Sequence, residues 1–401
     1  MDKLYARHDN YMSDVPTGYV RNVVSRIDWG ARLIILKGPK GVGKSTIMKQ
    51  YIKQHYSPDD RQVLYCSADT SYFSNHTLEE VADRFVMLGG THLFIDEIHK
   101  YPGWSVEIKE IYDAHKNLRI VLSGSSLVRL NDGDADLSRR MVQYMIPGLS
   151  LREFILFDTG LSIPPIPLND LLASPNDFCV KVKEKCAPLK YFKRFLSEGY
   201  YPYFFESRST YPIQVENVID YIINIELTSQ RGLDTGNTRK VKALMKVISQ
   251  MVPFEVDVSK ISKAIGVQRG TLLKYLKDME EAKLIVRLFQ NLSTITDLQK
   301  PDKILLDNPN IINVLSDYPP QIGTLRESFF VNQLQSAGHT VEYGGLSTGD
   351  FRIDRGIVIE VGGADKGFKQ FKEGDDGYVA ADDIDNATFK KIPLWAFGFL
   401  Y

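Results

Sequence analysis

Short apolar runs alternate with amphipathic stretches through residues 1–150. Residues 32–36, 63–66, 92–95 and 119–122 are mostly apolar runs of strand length, whereas 44–55, 78–88 and 106–115 repeat their apolar positions with helical period. Buried strands separated by helices predict βαβ units and a parallel sheet. The pattern then changes. Residues 161–177 hold Pro164, Pro165, Pro167 and Pro175 and read as an exposed connection. Residues 178–229 turn helical and aromatic-rich, 231–300 predict two or three short helices and a hairpin, and the last hundred residues return to mixed strands and helices. Four domains are expected: 1–157, 158–230, 231–310 and 311–401.

Composition narrows the class. The chain has 401 residues, 43% hydrophobic and 25% charged, enough apolar material for several cores. Lys and Arg number 49 against 50 Asp and Glu, which excludes a disordered polyelectrolyte and a globally basic nucleic-acid coat but leaves room for a local basic patch. Cys66, Cys179 and Cys186 form no CxxC pair, so neither a zinc knuckle nor a disulfide framework is expected. The N-terminal MDKLYARHDN has no apolar signal core, and no apolar run reaches the roughly 18 residues a bilayer requires. The expectation is a reduced, cytoplasmic protein.

The first chemistry-bearing motif is Gly38-Pro39-Lys40-Gly41-Val42-Gly43-Lys44-Ser45, with Thr46 following. It fits GxxxxGK[ST], with a strand predicted before it and a helix after it. Glycines let successive backbone N–H groups curl around a phosphate, and the helix N-terminus adds its positive end. Lys44 would reach the β/γ-phosphates of a nucleotide and Ser45 would place its hydroxyl on Mg²⁺. The strand at 92–95 runs into Asp96 and Glu97. Two carboxylates at the carboxyl edge of a parallel sheet stand where such sheets bind ligands. Asp96 suits the Mg²⁺ shell, and Glu97 suits orienting or deprotonating the attacking water. Residues 119–122 end in Ser123-Gly124-Ser125-Ser126, where a hydroxyl can touch the γ-phosphate, although a plain Ser/Gly turn reads equally well. In Asp136-Leu137-Ser138-Arg139-Arg140, an Arg can serve a neighbouring subunit's phosphoryl group, or simply pair with an acid on the surface.

GPKGVGKST, LFIDEIHK, SGSS and the LSRR–IPGLSLREF run resemble the AAA+ P-loop ATPases of prokaryotes, in particular a branch whose C-terminal region has no assigned function. The resemblance continues through 191–205, Gly323-Thr324-Leu325-Arg326-Glu327, Ile359-Glu360-Val361-Gly362-Gly363 and Ile392-Pro393-Leu394-Trp395. It implies an α/β fold with a parallel-sheet core and a helical lid. It also implies ATP and Mg²⁺ as cofactors, Lys44, Ser45, Asp96 and Glu97 in the roles above, Ser125 near the sensor position, and Arg140 as a finger acting in trans within a homo-oligomer.

Residues 258–289 read VSKISKAIGVQRGTLLKYLKDMEEAKLIVRLF. Ile261, Ala264 and Ile265 form one stripe, Gly266-Val267 a turn, and Leu272, Leu273, Leu276 and Met279 a second stripe. A strand begins at Leu284, and 303–306 would return as its partner. The layout resembles a winged helix-turn-helix. Twelve Lys/Arg against six Asp/Glu between 231 and 290 make a plausible phosphate-backbone footprint. Gln268, Arg269, Thr271 and Lys274 would open a DNA-recognition helix. A rigid spacer or protein contact is the alternative.

The C-terminal order of helix and strands resembles the restriction-endonuclease-like core, with Glu327 on a helix and Asp350 and Glu360 on adjacent strands. The lysine that the resemblance places two residues after the Glu is Gly362 here, and Lys366 or Lys369, on a following helix, would have to reach back. Ten acids against six bases between 350 and 390 disfavour a DNA backbone. This segment is expected to pack or dock a protein partner rather than cut DNA, with 392–399 as a buried terminal strand. Together these features predict an ATP-binding, Mg²⁺-dependent ATPase that drives a conformational cycle. An ATP-gated nuclease and a non-cycling nucleotide switch are the alternatives.

Overall fold

The computed structural model describes residues 1–128, 135–250, 257–290, 299–345, 349–369, 371 and 377–401, with the side chains of 135 and 136 set aside. The chain divides into two compact units, Met1–Pro147 and Gly148–Tyr401.

In the first unit α1 (Asp2–Ser13) precedes β1 (Leu33–Gly38), α2 (Lys44–His55), β2 (Val63–Ser67), α3 (Leu78–Met87), β3 (His92–Asp96), α4 (Trp104–Ala114), β4 (Arg119–Ser125), α5 (Ala135–Arg140) and β5 (Val142–Met145). The strands form one sheet in the order β2-β3-β4-β1-β5, and every pairing is parallel. Leu33, Ile34, Ile35 and Leu36 are fully buried, as a strand covered on both faces requires. Thr77 and Glu80 close a capping box that starts α3, and Val81, Ala82 and Phe85 carry its apolar face into the core with Ile108 and Ile111 of α4. Register places Gly38 opposite Ser125 and Ser67 opposite Asp96, so the chemistry-bearing strand ends share the carboxyl edge.

The second unit opens with α6 (Leu151–Thr159), α7 (Leu168–Ala173), α8 (Pro175–Lys183), α9 (Pro188–Glu198), α10 (Tyr211–Tyr221) and α11 (Leu227–Arg231). The stretch 161–177 is mostly exposed, as expected, but it is not only a connection. It contains α7, and Ile163, Leu168 and Leu171 are buried. Two of its four prolines stand at helix starts, Pro167 just before α7 and Pro175 at the first position of α8, while Pro164 and Pro165 lie exposed in the irregular run before them. Next come α12 (Thr238–Gln250), α13 (Val258–Ile265), α14 (Arg269–Glu281), β6 (Ile285–Leu288) and β7 (Lys303–Leu306), the two strands pairing antiparallel. The inward face of α13 is Val258, Ile261 and Ser262, and Ala264 falls outside the buried arc, exposed. The second stripe, Leu272, Leu273, Leu276 and Met279, is buried as the spacing predicts.

The chain closes with α15 (Pro309–Leu315), α16 (Ile322–Ala337), β8 (Val341–Tyr343), β9 (Phe351–Ile353), β10 (Ile357–Gly362), β11 (Gly377–Ala381) and β12 (Lys391–Pro393). Their sheet runs β12-β11-β10-β9-β8, antiparallel from β8 to β10 and parallel from β10 to β12. The terminal run 392–399 is buried but is a strand only as far as Pro393. Proline ends the ladder because it has no N–H, and Leu394–Phe399 coils into a 3₁₀ helix. No helix among the described residues is long and apolar enough to cross a membrane.

Candidate functional site

The loop between β1 and α2 is built around two glycines with positive φ, Gly41 (88°) and Gly43 (93°), which a side chain would strain. Gly38 is required for a different reason: a Cβ there would stand 2.4 Å from the Ile146 carbonyl oxygen. Pro39 is buried and Lys40 half-buried, and Val42 is fully buried and anchors the loop. The buried Arg21 braces it, donating from Nη1 to the carbonyls of Val42 (3.1 Å) and Pro147 (2.6 Å). Lys44 opens α2, and its Nζ donates to the carbonyls of Gly38 (2.8 Å) and Pro39 (2.9 Å). Ser45 and Thr46 follow on the first turn, half-buried.

Asp96 ends β3 and is 5% exposed. Its carboxylate accepts from the Tyr65 hydroxyl (2.6 Å) and from the Ser123 hydroxyl, both neutral donors. Burial, with the Asp96 charge behind it, pushes Tyr65 far above the ordinary tyrosine range, so this donor keeps its proton. The Ser123 hydroxyl also accepts the Glu97 N–H (3.1 Å), so one side chain holds both acidic residues. Glu97 has left-handed backbone (φ 52°), an uncommon conformation for a residue with a Cβ, at the turn where the strand leaves the sheet. Its Oε2 lies 3.3 Å from Nε2 of His99. Ser125, the last residue of β4, donates its N–H to Nδ1 of His99 (3.4 Å) and accepts the Leu127 N–H on its hydroxyl (3.3 Å).

Among the described residues no three His, Cys, Asp or Glu side chains cluster as a metal cage. Mg²⁺ takes one or two protein oxygens and fills its octahedron with phosphate oxygens and water. A buried carboxylate held by neutral hydroxyls keeps its negative charge available to such a cation. Asp96 and the Ser45 hydroxyl would hold it.

The family model described as an AAA domain matches residues 30–155. This stretch is an AAA+ P-loop domain. The carboxyl edge of its sheet carries the phosphate loop, Asp96 and Glu97. No curated protein matches the chain. Among solved structures, C. elegans PCH-2 is 16% identical over 40% of this chain and 44% of its own, with a TM-score of 0.23. A structure from work on katanin self-assembly is 19% identical over 34% and 48%, with a TM-score of 0.25. AMPPCP-bound DnaA from Aquifex aeolicus is 15% identical over 65% and 87%, with a TM-score of 0.26. This chain covers less than half the length of the first two.

Tyr65, Ser123, His99 and Arg21 are the residues that sequence reasoning left out of the AAA+ site. Ser123 lay in the SGSS run, but the hydroxyl aimed at Asp96 belongs to it and not to Ser125. Arg140, at the end of α5, pairs with Asp113 of the same chain (3.2 Å) and lies 5.9 Å from the Tyr112 ring centre. Arg269 and Lys274 are exposed on α14, and Gln268 precedes its first turn. Two of the basic residues of 231–290 pair with acids outside that stretch, Lys242 with Glu216 and Asp220 and Lys246 with Asp317, while Arg231 and Arg287 pair with Glu281 and Glu280 within it.

In the second unit the structure brings Asp350, Glu360 and Lys366 together. Lys366 Nζ lies 2.6 Å from Glu360 and 4.0 Å from Asp350, and Asp350 accepts the Val361 N–H (2.9 Å). Glu327 pairs with Lys303 of β7 at 2.7 Å, both nearly fully buried. Burial raises Glu360 and Asp350 adds to the shift, against the pull of Lys366. Lys366 and Lys369 do not lie on a helix. Residues 363–369 are irregular, with a turn at Ala364-Asp365 between Gly363 and Gly367, each of which disfavours helix by about 1 kcal/mol. A Cβ at Gly362 would meet Lys366 Cγ at 2.7 Å, so the bare glycine is what lets this side chain cross to the carboxylates.

Proposed function

We propose that the protein binds ATP with Mg²⁺ in its AAA+ domain and hydrolyses it to drive a conformational cycle. One observation carries the reading: a braced phosphate loop and a buried, hydroxyl-held Asp96 stand with Glu97 on one edge of the parallel sheet. Backbone N–H groups of 40–46 cradle the phosphates. Lys44 leaves its own loop carbonyls for the β/γ-phosphates, Ser45 and Asp96 hold Mg²⁺, and Glu97 takes the proton from the attacking water. Ser125 stands at the γ-phosphate end of β4. Arg140 acts on the nucleotide of a neighbouring subunit once its pair with Asp113 opens. Phosphate release tests the core of this reading: wild type turns over, while Lys44→Ala and Glu97→Gln do not. A mixture of Arg140→Ala and Lys44→Ala chains tests the oligomer, because one interface keeps both an intact loop and an intact Arg. No recovery of activity overturns the trans role.

In this reading 158–230 is a lid, 231–310 a winged helix that meets DNA through Arg269 and Lys274, and 311–401 a restriction-endonuclease-like domain that docks a protein partner. A second reading, an ATP-gated nuclease, is supported by Lys366 standing over Gly362 beside Asp350 and Glu360, with Glu327 on α16 nearby in the sequence pattern. Nicking of supercoiled plasmid with Mg²⁺ or Mn²⁺ that is lost in Glu360→Ala but kept in Lys44→Ala favours it. No nicking by wild type in any nucleotide state removes it.

A further inference from the structure

His99 is a buried imidazole two residues beyond the proposed catalytic base, with its side chain 6% exposed. Burial first, then the charges of Lys100, Lys44 and Lys40, hold its pKa down to about 4, so it is neutral near pH 7. A neutral imidazole has one N–H and one bare nitrogen. The Ser125 backbone N–H points at Nδ1, which therefore accepts, and the proton sits on Nε2. That Nε2–H is buried and finds no aligned hydrogen-bond partner, while Oε2 of Glu97 lies 3.3 Å away. The Glu97 side chain is the more exposed of the two, 26% against 6%, and a rotation of its carboxylate toward the ring would align the pair. A buried donor without an acceptor is costly, so that rotation is favoured. Ser125, on the other side of the ring, is in register with Gly38, the first residue of the phosphate loop. Loop, β4 tip, imidazole and Glu97 are thus four consecutive links.

We propose that His99 is the positioning residue of this ATPase: it holds the Glu97 carboxylate through Nε2–H and ties that carboxylate to the tip of β4 through the Ser125 N–H. The inference rests on the reading of Glu97 as the base that activates water. The ring itself transfers no proton. It fixes where the carboxylate stands when the γ-phosphate is in the loop, and a shift of the β4 tip moves the imidazole and with it the base.

The test uses the full chain with His99→Ala and His99→Gln. The glutamine amide can accept from Ser125 and donate to Glu97, as the imidazole does. The expected result for His99→Ala is a kcat about 10- to 100-fold lower, the range for one hydrogen bond to a charged group. ATP affinity, read by displacement of a fluorescent nucleotide, stays within about threefold because His99 touches no loop N–H. His99→Gln recovers most of kcat. Wild-type turnover in His99→Ala overturns the proposal. So does an equal loss of kcat in both variants, or a parallel loss of ATP affinity and thermal stability, which marks a packing role. Nitrogen NMR of labelled histidine gives a readout independent of turnover. The Nε2–H tautomer is expected in wild type, with its Nε2 resonance moved by Glu97→Ala. The opposite tautomer, or an unmoved resonance, overturns the contact even if the protein proves not to hydrolyse ATP. A wild type that binds ATP without turnover, yet passes the NMR test, fails the ATPase reading and leaves the contact standing.

Discussion

The carboxyl edge of the first sheet and the β9–β10 region of the second unit both bury carboxylates at strands, and they hold them in opposite ways. Asp96 is held by the hydroxyls of Tyr65 and Ser123, neutral donors that orient the charge without cancelling it. Glu360 is met by the ammonium of Lys366 at 2.6 Å, and Glu327 by that of Lys303 at 2.7 Å. A buried charge needs a partner. In the proposed reading the first site leaves that partner to be supplied by a bound cation, whereas the second already contains it. The difference teaches that a carboxylate cluster is read by its donors: hydroxyls prepare for a metal, and a lysine must first be displaced or be part of the chemistry.

The comparison breaks most visibly at Glu97. Glu97→Gln is expected to lower phosphate release by about 10²- to 10⁴-fold, the usual worth of a general base, while retaining ATP through Lys44 and Asp96. Retained turnover shows that the first site does not activate water through this carboxylate. The next effect is on stability. Lys366→Met leaves Glu360 buried without its cation and should cost about 2–3 kcal/mol in chemical denaturation, somewhat below a fully buried pair because Lys366 keeps part of its exposure. An unchanged midpoint means that Glu360 finds other compensation.

Smaller effects sharpen the contrast. Ser123→Ala removes one hydroxyl that serves both Asp96 and the Glu97 N–H. It should lower turnover about tenfold and weaken Mg²⁺ binding at Asp96, read as a higher Mg²⁺ concentration at half-maximal rate. Full activity at unchanged Mg²⁺ would assign the orientation of Asp96 to Tyr65 alone. Gly362→Ala places a methyl against Lys366 Cγ and should cost about 1–2 kcal/mol of stability, as overpacking does. A neutral effect there means that the lysine has room to cross elsewhere.

What the sequence by itself determined is local and directional. The glycine spacing of 38–43, the lysine and serine that open α2, and the acid that ends β3 with the one just beyond it are set by neighbours along the chain, so loop, helix start and strand end could be read before any fold was known. The continuous apolar runs likewise announced a sheet covered on both faces. Tertiary structure decided the rest, because it depends on contacts between distant segments. Tyr65 and Ser123 reach Asp96 only through the strand order β2-β3-β4, which no local period encodes. The basic excess of 231–290 is legible in the sequence, but the pairing of Lys242 and Lys246 with acids outside that stretch is not. Lys366 was expected on a helix of unknown phase. Two glycines kept the segment irregular, and the absence of a side chain at Gly362 let the lysine cross to Glu360. Periodicity reports which face a residue takes within its own element, and only packing reports which charge it meets there.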